Sequence, residues 1–234
     1  NAFLMKLATY KDGSRDGQLV VVSRDLSCAH YATGIAPRMQ SLLDDWNFLA
    51  PQLQNLFDDL NAGRARHAFA FEAERCLAPL PRAHQWIGGG AYPGHAQLLH
   101  QAWPQRWPAP RQSEPQMRQC LSGDLLGPCD EIRVASETLQ VDFAAELVAI
   151  VGDVRQGARA EQALEGVRLL GLANAMALTR LTEDERSTGG GLLQSTPATA
   201  MAPIVVTPDG MGPAWETGRV HLTVQCSWNG RKFG

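Results

Sequence analysis

The period of the hydrophobic positions changes several times along the chain, and each change predicts an element. Lys6-Leu-Ala-Thr-Tyr10 and Gln18-Leu-Val-Val-Val22 read as two strands, and the turn-rich Lys11–Gly17 between them makes a hairpin. From Pro37 the period becomes helical. Met39, Leu42, Leu43 and Trp46 fall on one stripe. A second helix is predicted to start with Asn47 as its cap and Pro51 in its first turn. It turns Leu49, Leu53, Leu56, Phe57 and Leu60 to the core and stops at Gly63. Arg64 to Phe71 alternates again and predicts a strand.

Cys76-Leu-Ala-Pro-Leu-Pro81 marks the crossing into a second unit, which divides the chain at 5–75 and 76–234. There, Gly88–Gly94 predicts a loop, His95–Ala102 a short helix, and the Pro-, Gln- and Arg-rich 104–124 a long loop. Arg159–Val167 reads as a helix; Arg168–Ala173 and Pro203–Thr207 read as strands, with Gly189–Gly191 a loop between them. Val220–Ser227 alternates and meets Asn229-Gly230, a strong hairpin signal. Its return arm is so short that the chain is expected to continue beyond Gly234. Asn1-Ala2 ahead of Met5 suggests a native start near Met5.

The clearest alternation runs through Val141-Asp-Phe-Ala-Ala-Glu-Leu-Val-Ala-Ile-Val151. One face carries Leu139, Val141, Phe143, Ala145, Leu147, Ala149 and Val151. The other carries Asp142, Ala144, Glu146, Val148 and Ile150. A carboxylate such as Glu146 in so apolar a strand is costly to bury unless a cation or hydrogen-bond donors receive it. The acid pairs Asp44-Asp45 and Asp58-Asp59 read as solvated helix faces.

Composition narrows the class. The 234 residues are 44% hydrophobic and 19% charged, with a formal net charge of −3 and no basic cluster, so neither nucleic acid nor an anionic membrane is an expected partner. No apolar run reaches the ~18 residues of a membrane span. Gly (22) and Pro (14) run above the usual share and favour a strand- and loop-rich α+β fold. The five cysteines (Cys28, Cys76, Cys120, Cys129 and Cys226) are scattered, never in a C-x-x-C pair, which is the pattern of reduced buried thiols in a cytoplasmic protein. His30, His67, His84, His100 and His221 show no metal-ligand spacing, and no G-x-S-x-G elbow is present.

Several segments, in this order and spacing, resemble the fumarylacetoacetate hydrolase family in its bacterial two-domain form. They are Met5–Gly13, Leu43-Asp-Asp-Trp-Asn47, Ala78-Pro-Leu-Pro81 and Ala91-Tyr-Pro-Gly-His95 in the first part. Leu126-Gly-Pro-Cys129, Asp142–Leu147, Gln194-Ser-Thr-Pro-Ala-Thr199 and Asn229-Gly230 follow. The resemblance implies a small N-terminal domain, then a catalytic domain built as a mixed β-sandwich roll, incomplete here at its C-terminal end, and a homodimer. It also implies cleavage of a carbon–carbon bond in a β-diketone acid or acylpyruvate, as in aromatic amino acid catabolism. Mg²⁺ or Ca²⁺ would chelate the substrate's oxygens, and His95, paired with a glutamate nearer the C-terminus, would activate water. Tyr92, Gln194 and Ser195 match substrate-side positions.

Carried over residue by residue, the resemblance leaves the metal cage incomplete. The family's Glu-x-Glu is Ala144 and Glu146, its Asn-Asp is Asn174-Ala175, and its aspartate before Tyr-x-x-His falls within Gly88-Gly-Gly90. Its Lys-Gly-x-Gly lysine is Thr188, and its arginine falls on Thr179, beside Arg180. Asp142 is roughly 13 Å along the strand from Glu146 and cannot stand in for the acid missing at 144. Glu146 is the remaining ligand of that set. Three readings follow. The first is a degenerate family member with a small carboxylic acid as ligand and no metal; the second is an active hydrolase with His95 as base; the third is a non-catalytic dimerisation partner.

Overall fold

The computed structural model describes residues 3–90, 92–102, 104, 117–123, 125–188 and 191–233, except the side chains of Pro93, His95, Leu99, Ala102 and Glu183. In chain order the elements are β1 (Lys6–Tyr10), β2 (Gln18–Val22), β3 (Cys28–Tyr31), α1 (Met39–Asp44), α2 (Trp46–Asn61) and β4 (Phe69–Ala70). Next come β5 (Trp86–Gly89), α3 (Pro93–Ala102), β6 (Met117–Cys120), β7 (Leu125–Leu126), β8 (Val141–Val151), α4 (Ala160–Leu164) and β9 (Val167–Leu178). The last are α5 (Thr179–Thr188), β10 (Thr199–Met201), β11 (Val205–Val206), β12 (Trp215–Glu216), β13 (Arg219–Val220), β14 (Ser227–Trp228) and β15 (Arg231–Lys232).

The predicted hairpin is present. β1 and β2 pair antiparallel from Lys6↔Val22 to Tyr10↔Gln18. Gly17 closes it at φ +57°, where a Cβ would lie 2.5 Å from the Tyr10 carbonyl oxygen, so only glycine fits. β1 also pairs with β11, and β11 with β9, so one sheet in the order β4-β3-β2-β1-β11-β9-β10-β7 runs through both halves of the chain. β8 adds to the other side of β9 along its whole length.

Helix α2 lies on one face of β1 and β2. Its apolar stripe places Trp46, Ala50, Leu53, Phe57 and Leu60 in a core with Leu7, Leu19 and Val21. The opposite face holds Ala8, Tyr10, Val20 and Val22 under Tyr31, Phe69 and Phe71. The Arg168 guanidinium of β9 sits 5.7 Å above the Trp46 ring and ties the second half to α2.

Some boundaries differ from the pattern. Asp45, not Asn47, precedes α2, and Pro51 is inside the helix rather than in its first turn, because Trp46 buries its ring and draws the start of the helix forward. Gly63 ends the helix at φ +69° as expected. The strand predicted for 64–71 shrinks to Phe69–Ala70, since β3 is its one ladder partner among the described residues. The loop expected from Gly88 starts later, as Gly88 and Gly89 close β5, and α3 opens at Pro93. Most of 104–124 lies outside the described residues; Met117–Cys120 is a strand, paired with β5. The strand expected at 168–173 runs on to Leu178. That expected at 220–227 is two short pieces, with the turn at Asn229-Gly230 (φ +48° and +76°) as predicted.

All five cysteines are free. Burial, with the neighbouring Cys129 adding to it, pushes the Cys76 thiol up to about 12, whereas Cys129 itself is exposed rather than buried. No helix among the described residues is long and apolar enough to cross a membrane.

Candidate functional site

Of the two faces of β8, the one that carries Glu146 turns inward. Val148 and Ile150 are buried on it, while Val141 and Val151 on the other face are exposed. That outer face is covered in part by the last hairpin, where Phe143 stacks on Trp228 (ring centroids 5.5 Å apart) and meets Phe233 (5.6 Å).

The ladders set the inner face in two rows. Ala144 stands opposite Ala175, Ala175 opposite Thr199, and Thr199 beside Leu125. In the next row Glu146 stands opposite Ala173, which faces Met201. Leu125, Val148, Ala173 and Met201 form a small core with Ala78, on which Trp86 packs. Directly opposed side chains in such a ladder have Cβ atoms roughly 4.5–5.5 Å apart. Acids at 144 and 175 would therefore share a cation with Glu146; alanines there leave a bare shelf. Asn174 pairs with Ala145 on the outer face and is exposed, so it points away from the shelf.

Glu146 is half-buried and makes no hydrogen bond or ion pair with a described residue. Asp142, on its face, is exposed and accepts a bond from the Phe143 N–H (2.9 Å). Among the described residues no three His, Cys, Asp or Glu groups converge to hold a metal. A hard divalent cation needs six or more oxygens, several of them from the protein. The residues on this shelf do not fit one.

The substrate-side positions come from separate elements of the fold. Tyr92 is 60% exposed, between β5 and α3. His95 lies in the first turn of α3, and its side chain is outside the described residues. Ser195 is fully buried and Gln194 exposed, and their backbone is held by a residue that the sequence reading missed. Glu185 on α5 accepts four bonds. The Leu193 N–H (3.0 Å) and Gln194 N–H (2.6 Å) donate to Oε1; the Ser195 N–H (3.0 Å) and Ser195 Oγ–H (2.6 Å) donate to Oε2. Desolvation works to raise the Glu185 pKa, but the Ser195 hydroxyl and the three N–H donors outweigh it and hold the carboxyl below its usual value. The Ser195 hydroxyl is thus engaged in fixing the loop that leads to Thr199. The glycine-rich run ahead of this loop was its one legible signal, and Gly189 and Gly190 lie outside the described residues.

The comparisons with known proteins agree with this architecture. The family model described as "Fumarylacetoacetase N-terminal domain 2" matches residues 5–82, and "Fumarylacetoacetate (FAA) hydrolase C-terminal" matches residues 85–233. Among solved structures, a fumarylacetoacetate hydrolase from psychrophilic Exiguobacterium antarcticum is similar at 17% identity and a TM-score of 0.61, covering 93% of this chain and 74% of its own. A putative HpcE protein from Mycobacterium smegmatis is similar at 17% identity and 0.56, covering 88% of this chain and 67% of its own. No curated protein matches. With the C-terminal family model covering more than half of its length, this chain belongs to the fumarylacetoacetate hydrolase family.

Proposed function

We propose that this protein is a catalytically degenerate member of its family, one that keeps the fold and the clamped loop but has lost the cage for a divalent cation. The observation that carries this reading is the Ala144–Ala175 pair, two methyl groups directly opposed beside a single carboxylate, Glu146. The third expected acid falls in Gly88–Gly90, whose first residue also has no side chain to offer. Without a bound cation to polarise two substrate oxygens, the enolate that leaves in a carbon–carbon hydrolysis has no strong electrophile here. His95 alone, as a base, would supply roughly 10²–10⁴ of rate, far short of what such a cleavage needs.

Calorimetric titration of the full chain with Mg²⁺, Mn²⁺ and Ca²⁺ tests the reading. The expected dissociation constants are weaker than roughly millimolar, with no loss of enol absorbance from acylpyruvates. Micromolar binding that disappears in Glu146→Ala, or acylpyruvate turnover that disappears in His95→Ala, would overturn it.

A further inference from the structure

His30 on β3 faces two acceptors at once. Its Nδ1 lies 2.7 Å from the Tyr31 carbonyl oxygen, and its Nε2 lies 2.7 Å from the Arg66 carbonyl oxygen. A carbonyl oxygen has no proton to give, so each ring nitrogen must donate. Only the imidazolium carries both N–H groups. In a neutral ring one nitrogen would turn a lone pair toward an oxygen at hydrogen-bond distance. The ring is half-buried, between Cys28 and Ala32 on the face of the sheet that α2 covers.

The bond to Arg66 joins residues 36 apart in the chain and fastens a turn, Arg66-His67, to β3. His67 holds φ +66° there, a conformation that side chains disfavour. The chain is tied before the turn, where the Arg64 and Ala65 N–H groups donate to the Asp59 carbonyl (2.8 and 3.2 Å). It is tied again after it, where the Phe71 N–H donates to the Ser27 carbonyl (3.1 Å). Between these ties His30 reaches across from β3. The turn leads into β4, whose Phe69 ring lies 4.8 Å from that of Tyr31 and 5.6 Å from that of Tyr10.

The charges around the ring are engaged elsewhere or point to solvent. On α2, Asp59 takes the Arg64 guanidinium (2.7 Å) and Asp58 takes the Gln54 amide (2.9 Å). In the 23–27 turn, Asp25 is held by Ser23 and Ser27, and Arg24 lies 5.9 Å over the Phe57 ring. Arg66 and His67 are exposed. On this face β2 offers Leu19 and Val21, and β3 offers the half-buried Cys28. No carboxylate among the described residues pairs with His30, so backbone dipoles alone receive its charge.

We propose that His30 is a pH-sensitive latch: as the imidazolium it fastens the Arg66-His67 turn to β3, and loss of its second proton releases that turn and loosens β4. The latch is closed at lower pH and opens as pH rises through the His30 titration. The sense is opposite to that of Glu185, whose bonds are lost as pH falls.

Long-range proton–nitrogen spectra of the full, nitrogen-15-labelled chain test this from about pH 5 to about pH 8, across the ordinary histidine range. While the turn is closed, both His30 nitrogens should carry protons. As one proton leaves, the protection of the Ala65 and Phe71 amides, taken relative to free-peptide exchange at the same pH, should fall roughly tenfold with the same midpoint. His30→Gln keeps two N–H donors on a group that does not titrate, and should remove the pH dependence. His67→Asn, which removes the exposed histidine of the turn from a position that asparagine tolerates, should leave it in place. A neutral His30 ring at a pH where the turn is closed would overturn the proposal. So would protection that stays constant through the His30 titration, or a pH dependence that survives His30→Gln. Should His30→Gln fail to fold, the ring spectra and protection of the unaltered chain decide alone.

Discussion

The hairpin at the start of the chain and the long strand pair that carries the site are built to opposite standards. In β1 and β2, Leu7, Ala8, Tyr10, Leu19, Val20, Val21 and Val22 are completely buried, because α2 covers one face and the aromatic cluster of Tyr31, Phe69 and Phe71 the other. In β8 only Val148 and Ile150 are buried; β9 buries Leu169, Leu170, Ala173 and Leu178, but on the outer face Val151 of β8 is 52% and Leu172 of β9 47% exposed. Stability resides in the first region; the second is a shelf hung on it. Polar residues on a shelf can be lost without unfolding the protein. In a family member without a cation their absence would even be favourable, since three carboxylates within reach of one another repel when nothing neutralises them. Alanines at 144 and 175 are what that balance favours.

The contrast is sharpest in large-to-small substitutions. Phe57→Ala in the first core should cost about 3–5 kcal/mol in urea unfolding, against about 1–2 kcal/mol for Val148→Ala in the second. Equal costs would contradict the division into scaffold and shelf. Next in size is the loop clamp. Glu185→Gln replaces a charged acceptor of four bonds and should cost about 1–2 kcal/mol, read as faster amide exchange at Gln194 and Ser195 with α2 unaffected. The Glu185 carboxyl is held below its ordinary value, so its contribution is present above the unfolded value of about 4.3 and is lost as pH falls through the lower folded value. Protection of the loop amides, taken relative to free-peptide exchange at the same pH, should therefore fall below about pH 4; protection that falls on raising the pH would have the wrong sign.

The scaffold offers its own acid marker. Asp25 is pulled down to about 2 by the Ser23 hydroxyl first and then by the Ser27 hydroxyl and N–H. A carbon-13 titration should find its midpoint near that value; a midpoint near ~3.9 would mean that the turn is not formed in solution. The smallest effect is expected at Glu146. Glu146→Gln should change stability by less than about 0.5 kcal/mol, because no described residue receives the carboxylate. A loss of several kcal/mol would reveal a partner.

Much of the frame was legible in the residues. The β1–β2 hairpin, the α2 stripe, the alternation of β8 and the Asn229-Gly230 turn are local patterns of period or turn chemistry, and they appear where the pattern puts them. The alternation over 64–71 announced β4 but not its shortness, whereas β6 depends on a partner distant in sequence and no local period announces it. The shelf was half legible: Ala144 beside Glu146 is a sequence fact, but only the β8–β9 register sets Ala175 directly across from Ala144 and turns Asn174 outward. Glu185 carried no signal, since it acts across a loop on residues that composition cannot pair with it.

The most direct test restores what the shelf lacks. The double variant Ala144→Glu/Ala175→Asp should melt below the parent protein in EDTA, because three acids then repel, and rise by several degrees when Mn²⁺ is added, while the parent protein shows no response to Mn²⁺. A parent protein that is itself stabilised by Mn²⁺, in a manner lost with Glu146→Ala, would contradict the claim that its cation site is gone.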